Sequence, residues 1–358
     1  MKKRKWILLL IPVFVAIAIT MYMTVTTPNS EFRSPLKSKT KILNNTSNLE
    51  NFITEEMKKN EVLGLSVAII YDNEIIYQKG FGYQDNSSNI AVNNNTIFET
   101  ASLSKPVTAY LALMLVEQEK MSLDEPLSHY LDKAYLQDKE NADKITLRMI
   151  LNHTSGMEND PDGIDRSIQF EPGTRFLYSG GGFKYLQVVL ESITKMPLDE
   201  LAEENILKPL KMEHSSYRYR DEFSGSIAYG SKKPHELSVN AAYSLLSTPT
   251  DMGIFINELL YPTLLKEETV RIMKTPSVDV RKDVSWGLGI GIQHSQVGNA
   301  IWQWGNNDNT YHSFFVAFEE NNSGIIVMTN SPGGKEIIKE IANVAIGGFH
   351  LSYMDVIP

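Results

Sequence analysis

The chain predicts an α/β protein: an antiparallel sheet assembled from both ends of its body, flanked by helices, with a helical region inserted between. Three observations predict it. β-rich runs cluster at 63–85 and again at 285–331. Helical periodicity broken by many turns fills 106–280. The composition, 42% hydrophobic and 22% charged over 358 residues, is that of a chain able to bury a substantial core. Strands far apart in sequence then close one sheet, and the intervening helices pack against it. The predicted division is 47–105 with 281–350 for the sheet part and 106–280 for the helical part. A small-molecule cleft is expected where the two meet.

Residues 1–26 carry Lys2, Lys3, Arg4 and Lys5 ahead of an uncharged apolar run from Trp6 to Val25. Such a run matches the ~20 residues a helix needs to cross a bilayer. The basic cluster stays on the cytoplasmic side, so the rest of the chain is expected outside the membrane. Ala16-Ile17-Ala18 offers the competing reading of a cleaved signal peptide, but the sequence stays apolar beyond it. A retained anchor with an extracytoplasmic body is therefore expected. Residues 27–46 are polar and rich in Pro, Ser and Lys, the composition of a flexible tether.

Charge and cysteine usage exclude some classes. Residues 1–46 hold eight Lys/Arg against Glu31, while the whole chain is −9, which leaves the body strongly acidic. That argues against a nucleic-acid surface, which needs basic patches. With no cysteine, disulfides, thiol catalysis, cysteine-ligated metals and a lipid-modified cysteine are excluded.

Along the body, 48–60 reads as a helix with Phe52, Ile53 and Met57 inward. Two β runs within 63–85 join at Asp72-Asn73, a strong hairpin signal. In "ASLSKPVTAYLALMLVEQEK" (101–120), Val107, Tyr110, Leu111, Met114 and Leu115 follow a helical stripe. Pro106 is acceptable only in a first turn, so this helix starts near Ser102. Residues 186–194 and 250–260 read as further helices. Residues 285–293, 299–305, 313–320 and 324–331 read as strands, with 321–324 as a turn and a closing helix from Lys335 to about Ile346.

The candidate chemistry begins at Ser102 and Lys105. S-x-x-K occurs four times, at Ser34–Lys37, Ser38–Lys41, Ser102–Lys105 and Ser192–Lys195. The first two lie in the tether, where no lysine can be desolvated. The last lies at a helix C-terminus, where a lysine is explained by the dipole. Ser102 and Lys105 fall one turn apart at a helix start, where the dipole and burial both favour a neutral lysine able to take a hydroxyl proton. On these residues alone an alternative stands: Ser102, Thr100 or Ser104 caps the helix and Lys105 is solvated. Tyr178 precedes three glycines and is read as lying on a tight loop that faces open space, with a buried aromatic before a Gly-rich turn as the alternative. Residues 301–318 read as a strand that ends at Trp304-Gly305 and turns at Asn306, Asn307 and Asp308.

Seven segments in order resemble the serine β-lactamase and penicillin-binding-protein superfamily, in its branch of class C β-lactamases, D-alanyl peptidases and family VIII esterases. They are "FETASLSKPVTA", "SLDEPLSHYL", "ITLRMILNHTSGM", "EPGTRFLYSGGG", "ILKPLKMEHSSY", "LSTPTDM" and "GIIVMTNS", spanning roughly 50–335. The resemblance implies a β-lactamase-like fold with a helical domain. It implies Ser102 as acylated nucleophile, Lys105 as its activator and Tyr178 as general base. The backbone N–H groups of Ser102 and Asn306 would hold the oxyanion, and His153 would be structural. It implies a small-molecule or cell-wall-derived substrate and neither metal nor organic cofactor. Two positions depart from the family pattern. Tyr178-Ser179-Gly180 stands where Tyr-x-Asn is usual, so Gly180 lacks the substrate-orienting amide. The literal Tyr71-Asp72-Asn73 precedes Ser102 and lies in a hairpin turn. Gln303-Trp304-Gly305 stands where Lys- or His-x-Gly is usual, so Gln303 offers no cation to a substrate carboxylate. Lys274-Thr275-Pro276 has neither the donor nor the strand context to replace it.

Overall fold

The computed structural model describes residues 39–87, 89–160, 162–230, 237–294 and 298–346. The expected anchor (1–26) and the tether as far as residue 38 lie outside the described residues. Among the described residues, no helix is long and apolar enough to cross a membrane. The rest of the tether reading is corrected. Residues Lys39–Asn44 form a helix, α1. Ile42 is buried in the core, and Lys39 pairs with Glu74, which ties this segment to the body.

The elements then run α2 (Thr46–Lys59), β1 (Gly64–Tyr71), β2 (Glu74–Gly82), β3 (Phe98–Glu99), a 3-10 turn at Ala101–Leu103, and α3 (Ser104–Glu117). They continue through α4 (Lys139–Ala142), α5 (Leu147–Leu151), α6 (Gly180–Thr194), α7 (Leu198–Ala202), β4 (Leu246–Ser247), α8 (Pro249–Leu260) and α9 (Glu267–Met273). The chain ends in β5 (Val278–Arg281), β6 (Val284–Trp286), β7 (Gly291–Gln293), β8 (Ala300–Asn307), β9 (Tyr311–Phe318), β10 (Ser323–Thr329) and α10 (Gly334–Ile346).

Among the described residues, eight strands form one antiparallel sheet in the order β2-β1-β10-β9-β8-β7-β6-β5. The chain ends thus meet at β1 and β10, where Leu65 pairs with Thr329 and Tyr71 with Ser323. The central strands are apolar at nearly every position because both faces are covered. Successive residues alternate between two cores. Leu65, Val67, Ile69, Ile325 and Val327 meet Ile53 and Met57 of α2 and Ile337, Ile338 and Ile341 of α10. Ala68, Ile70, Ile326 and Met328 face the other way, onto α3 and α8. A buried isoleucine in such a layer stabilises the fold by roughly 1.5–3 kcal/mol.

Turn chemistry sets the register. Asp72 and Asn73 both adopt left-handed φ, +50° and +64°, as the Asn-containing hairpin signal requires. Three expectations shift. The single strand expected over 285–293 is two, β6 and β7, because Gly289 takes φ +84° and folds the run into a hairpin whose tip packs on Ala109 of α3. The strand expected to end at Gly305 continues to Asn307, and the turn falls at Asp308-Asn309, both left-handed. The helix expected at 186 starts at Gly180, since Ser179 caps it by accepting a hydrogen bond from Gly182 N–H at 2.8 Å.

Candidate active site

The site forms where the Ala101–Leu103 turn and the start of α3 lie against β8. β7 pairs with β8 only as far as Trp302, so among the described residues Gln303–Asn307 are strand-paired on the β9 side alone. The 3-10 turn packs on that stretch of β8. It is clamped from several directions. Thr100 N–H and Oγ1–H both donate to Leu245 O, Ser313 Oγ donates to Thr100 O, and Ser104 Oγ donates to Ala101 O. Ala101 is held at φ +48°, a conformation that side-chain-bearing residues rarely adopt and that marks a constrained turn.

Ser102 is half-buried and Lys105 is buried. Lys105 Nζ donates to Ser102 Oγ and to Ala242 O, each at 3.0 Å. The solvated-lysine alternative is thereby removed. Thr100 and Ser104 do not cap α3 through their side chains either. Burial pushes the Lys105 ammonium down to about 7. The carbonyl that holds it belongs to a turn fixed by Asn240 Oδ1, which accepts from Ala242 N–H at 2.8 Å.

Tyr178 is buried rather than facing open space, with its ring 4.9 Å from Lys105 Nζ. Its hydroxyl accepts from Gln303 Nε2 at 3.0 Å. Burial pushes the phenol above its ordinary range, and hydrogen bonds from Ser102 and Gln303 only partly offset that. Gln303 is fully buried on β8 and puts its neutral amide against the phenol oxygen. Gly305 lies two residues along, where a β-carbon would stand 2.9 Å from Ser102 N and 2.6 Å from Thr100 O. Asn306 is exposed, and its Oδ1 accepts from Asn309 N–H at 3.0 Å. Gly180 is the first residue of α6, its N–H donating to Asn159 Oδ1 at 2.8 Å.

Ser102, Lys105, Tyr178, Gln303 and Gly305 are therefore brought together, with Gly180 two residues past the tyrosine. The discarded Ser192–Lys195 pair lies elsewhere: Ser192 Oγ donates to Tyr130 O, and Lys195 is the left-handed residue that ends α6. Two contributors were invisible in the sequence. Ala242 acts through a backbone carbonyl, so its residue type carries no signal. Trp286 packs edge-on against Tyr178 with ring centroids 5.7 Å apart, and reads in sequence as an ordinary strand aromatic. Among the described residues no group of His, Asp and Glu is arranged to hold a metal ion.

Comparison with known proteins places this geometry in context. The beta-lactamase family model matches residues 49–347. The protein flp of Staphylococcus aureus (strain MW2) is 23% identical over 312 residues, covering 79% of this chain and 62% of that protein. The chain thus spans under two thirds of the length of these relatives. Teichoic acid D-alanine hydrolase of S. aureus (strain MRSA252) is 27% identical over 224 residues, covering 56% of this chain and 55% of that protein. Among solved structures, the octameric penicillin-binding protein homologue from Pyrococcus abyssi superposes with a TM-score of 0.75 at 22% identity, covering 87% of this chain and 80% of the other. A penicillin-binding protein from Bacillus halodurans superposes with a TM-score of 0.71 at 23% identity, covering 82% of this chain and 98% of the other. At these identities the structural likeness is one of fold.

Proposed function

The chain belongs to the beta-lactamase family, and on that footing we propose that it is a serine hydrolase that cleaves an ester or amide through an acyl-Ser102 intermediate. The observation that carries this reading is the 3.0 Å contact from a buried Lys105 ammonium nitrogen to Ser102 Oγ. Near neutral pH an appreciable fraction of Lys105 is unprotonated, because burial brings it to about 7. It then takes the Ser102 proton as Oγ attacks the substrate carbonyl. The proton passes to the departing alcohol or amine as the acyl bond breaks, and water later releases the acyl group. Tyr178 serves as a neutral hydrogen-bonding relay between Ser102 and the leaving group. This differs from the general-base role that the resemblance implies. Among the described residues, a buried phenol facing a neutral Gln303 has no second cation to stabilise its phenolate.

The substrate follows from what Gln303 and Gly180 lack. Without a cation at 303 or an amide at 180, a carboxylate and a side-chain amide lose their usual partners, which disfavours an efficient β-lactamase. A D-alanyl group of the cell wall or a small ester fits better, and the relative named teichoic acid D-alanine hydrolase supports that class. The apolar run at Trp6–Val25 supports a membrane-anchored body outside the cytoplasm.

Intact-protein mass spectrometry after treatment with a fluorophosphonate tests the nucleophile. One adduct is expected, lost in Ser102→Ala. No adduct, or one that survives Ser102→Ala, would reject the assignment and favour a non-catalytic binding domain. Turnover of a p-nitrophenyl ester, a D-Ala-D-Ala peptide and a chromogenic β-lactam then ranks esterase, carboxypeptidase and β-lactamase activity.

A further inference from the structure

His153 stands in the most recognisable segment of the chain and takes no part in the chemistry above. It is fully buried and adopts φ +58°. Its backbone carbonyl accepts from Leu177 N–H at 2.8 Å, and its ring Nδ1 accepts from Ser179 N–H at 3.1 Å. These are the two backbone amides that flank Tyr178. The ring also lies against the Tyr178 ring, with centroids 4.4 Å apart. One residue therefore holds the tyrosine's chain on both sides and its ring from behind.

We propose that His153 is a positioning residue for Tyr178, fixing the phenol oxygen at the height where it meets Ser102 and Gln303. The inference rests on the hydrolase reading for its kinetic consequence, but its structural content is separate.

Three features of the site fit a histidine and few other residues. Accepting from Ser179 N–H requires an unprotonated Nδ1, and burial beside Lys105 holds the imidazole neutral. The remaining proton then sits on Nε2. Among the described residues Nε2 has no hydrogen-bond partner. It is packed among Phe176, Phe183 and Trp286, with Phe176 and Trp286 meeting the ring edge-on. A fully buried, unpaired N–H costs stability, so retaining it calls for a compensating role. The left-handed backbone supplies the geometry by which carbonyl and ring reach amides two residues apart. A flat ring lies against the phenol ring, centroids 4.4 Å apart and tilted by 39°.

The test is a double-mutant cycle read on hydrolysis of a short-chain alkyl ester, whose alkoxide leaving group needs the relayed proton, with hydrogen–deuterium exchange as a readout independent of activity. His153→Leu is expected to lower kcat by about 10–100-fold with KM little changed, the scale of a misplaced catalytic group. In a Tyr178→Phe background the same change is expected to cost under about threefold, since the residue it acts through has already lost its hydroxyl. His153→Asn is expected to recover most of the rate: asparagine tolerates left-handed φ, and its Oδ1 can take the place of Nδ1. Exchange at the Ser179 amide is expected to rise in His153→Leu and stay low in His153→Asn. An equal loss in both tyrosine backgrounds, or a Ser179 amide as protected in His153→Leu as in the wild type, would overturn the proposal. If His153→Leu does not fold, His153→Gln replaces it in every arm, since its longer side chain withdraws the acceptor while keeping a polar group. If the wild type neither hydrolyses the ester nor is labelled at Ser102, the hydrolase reading falls, and exchange at Ser179 decides the positioning claim.

Discussion

Gly305 lies so close to Ser102 that a β-carbon at 305 would stand 2.9 Å from the serine amide nitrogen, and 2.5 Å from Ser313 Oγ. No side chain fits between β8 and the Ala101–Leu103 turn. Gly305→Ala is therefore expected to push the Ala101–Leu103 turn off the strand. Stability should fall by about 1–3 kcal/mol, the range for overpacking. Acylation should fall about 100-fold or more, because a backbone donor for a developing oxyanion works only when placed to within a fraction of an ångström. Urea unfolding and fluorophosphonate labelling rates measure the two effects; an unchanged labelling rate in a folded variant would remove the close approach from the mechanism.

Tyr178→Phe separates chemistry from packing. The ring is held by His153 and Trp286 whether or not it carries a hydroxyl. The lost group leaves Gln303 Nε2 with Trp304 O as its remaining partner, at 3.3 Å. Stability should change by about 1 kcal/mol or less. Acylation by a short-chain alkyl ester should slow by about 100-fold or more, because its alkoxide needs the relayed proton. An acylation rate within about twofold of wild type would show that Lys105 hands the proton on without it.

These positions show where the sequence was legible and where it was not. Ser102–Lys105 could be singled out because Pro106 fixed the helix start and the other S-x-x-K pairs failed on context. The sheet from both chain ends followed from strand runs whose both-face burial leaves them almost wholly apolar. The three glycines after Tyr178 signal a loop, which leaves an exposed and a buried tyrosine both open. Ser179 instead turns them into the first turn of α6, and the tyrosine goes inward. The Ala242 carbonyl and the two amides bound by His153 are main-chain contacts, which no residue type announces. The helical Lys39–Asn44 segment misled by its polar composition, since a single buried Ile42 and an ion pair suffice to dock one and a half turns.

Gln303→Lys restores the cation that this family pattern usually carries. Gln303 is fully buried, so the new ammonium enters a site that already holds Lys105, and stability should drop by roughly 3 kcal/mol. The charge should draw a carboxylate-bearing substrate. The ratio of kcat/KM for a chromogenic cephalosporin over p-nitrophenyl acetate is expected to rise about tenfold or more, one charge-assisted hydrogen bond. A ratio that does not move would mean that neutrality at 303 does not set the preference.

Lys105 gives a pH dependence of known sign. Burial lowers it from 10.5 to about 7 in the folded chain. Below about 7 the folded and unfolded states both carry the proton, and this group contributes no slope. Between about 7 and 10.5 the unfolded state holds a proton that the folded state has released, so stability rises with pH across that window. The cost of burying the ammonium is thus fully present in acid and fades as the solution becomes basic. Lys105→Met keeps the bulk and removes the charge. It should be more stable than wild type at pH 6, and its advantage should shrink by roughly 2–3 kcal/mol on going to pH 9, two units past the folded value. Urea midpoints at the two pH values measure this, provided the slope of the transition is shared. Phosphonylation of the wild type at Ser102 by the same fluorophosphonate, with loss of fluoride, should fall about tenfold per unit below pH 7 and level off above it, because only the neutral amine accepts the serine proton. A flat labelling rate from pH 5 to 8, with wild type and Lys105→Met differing equally at both pH values, would place the proton acceptor elsewhere.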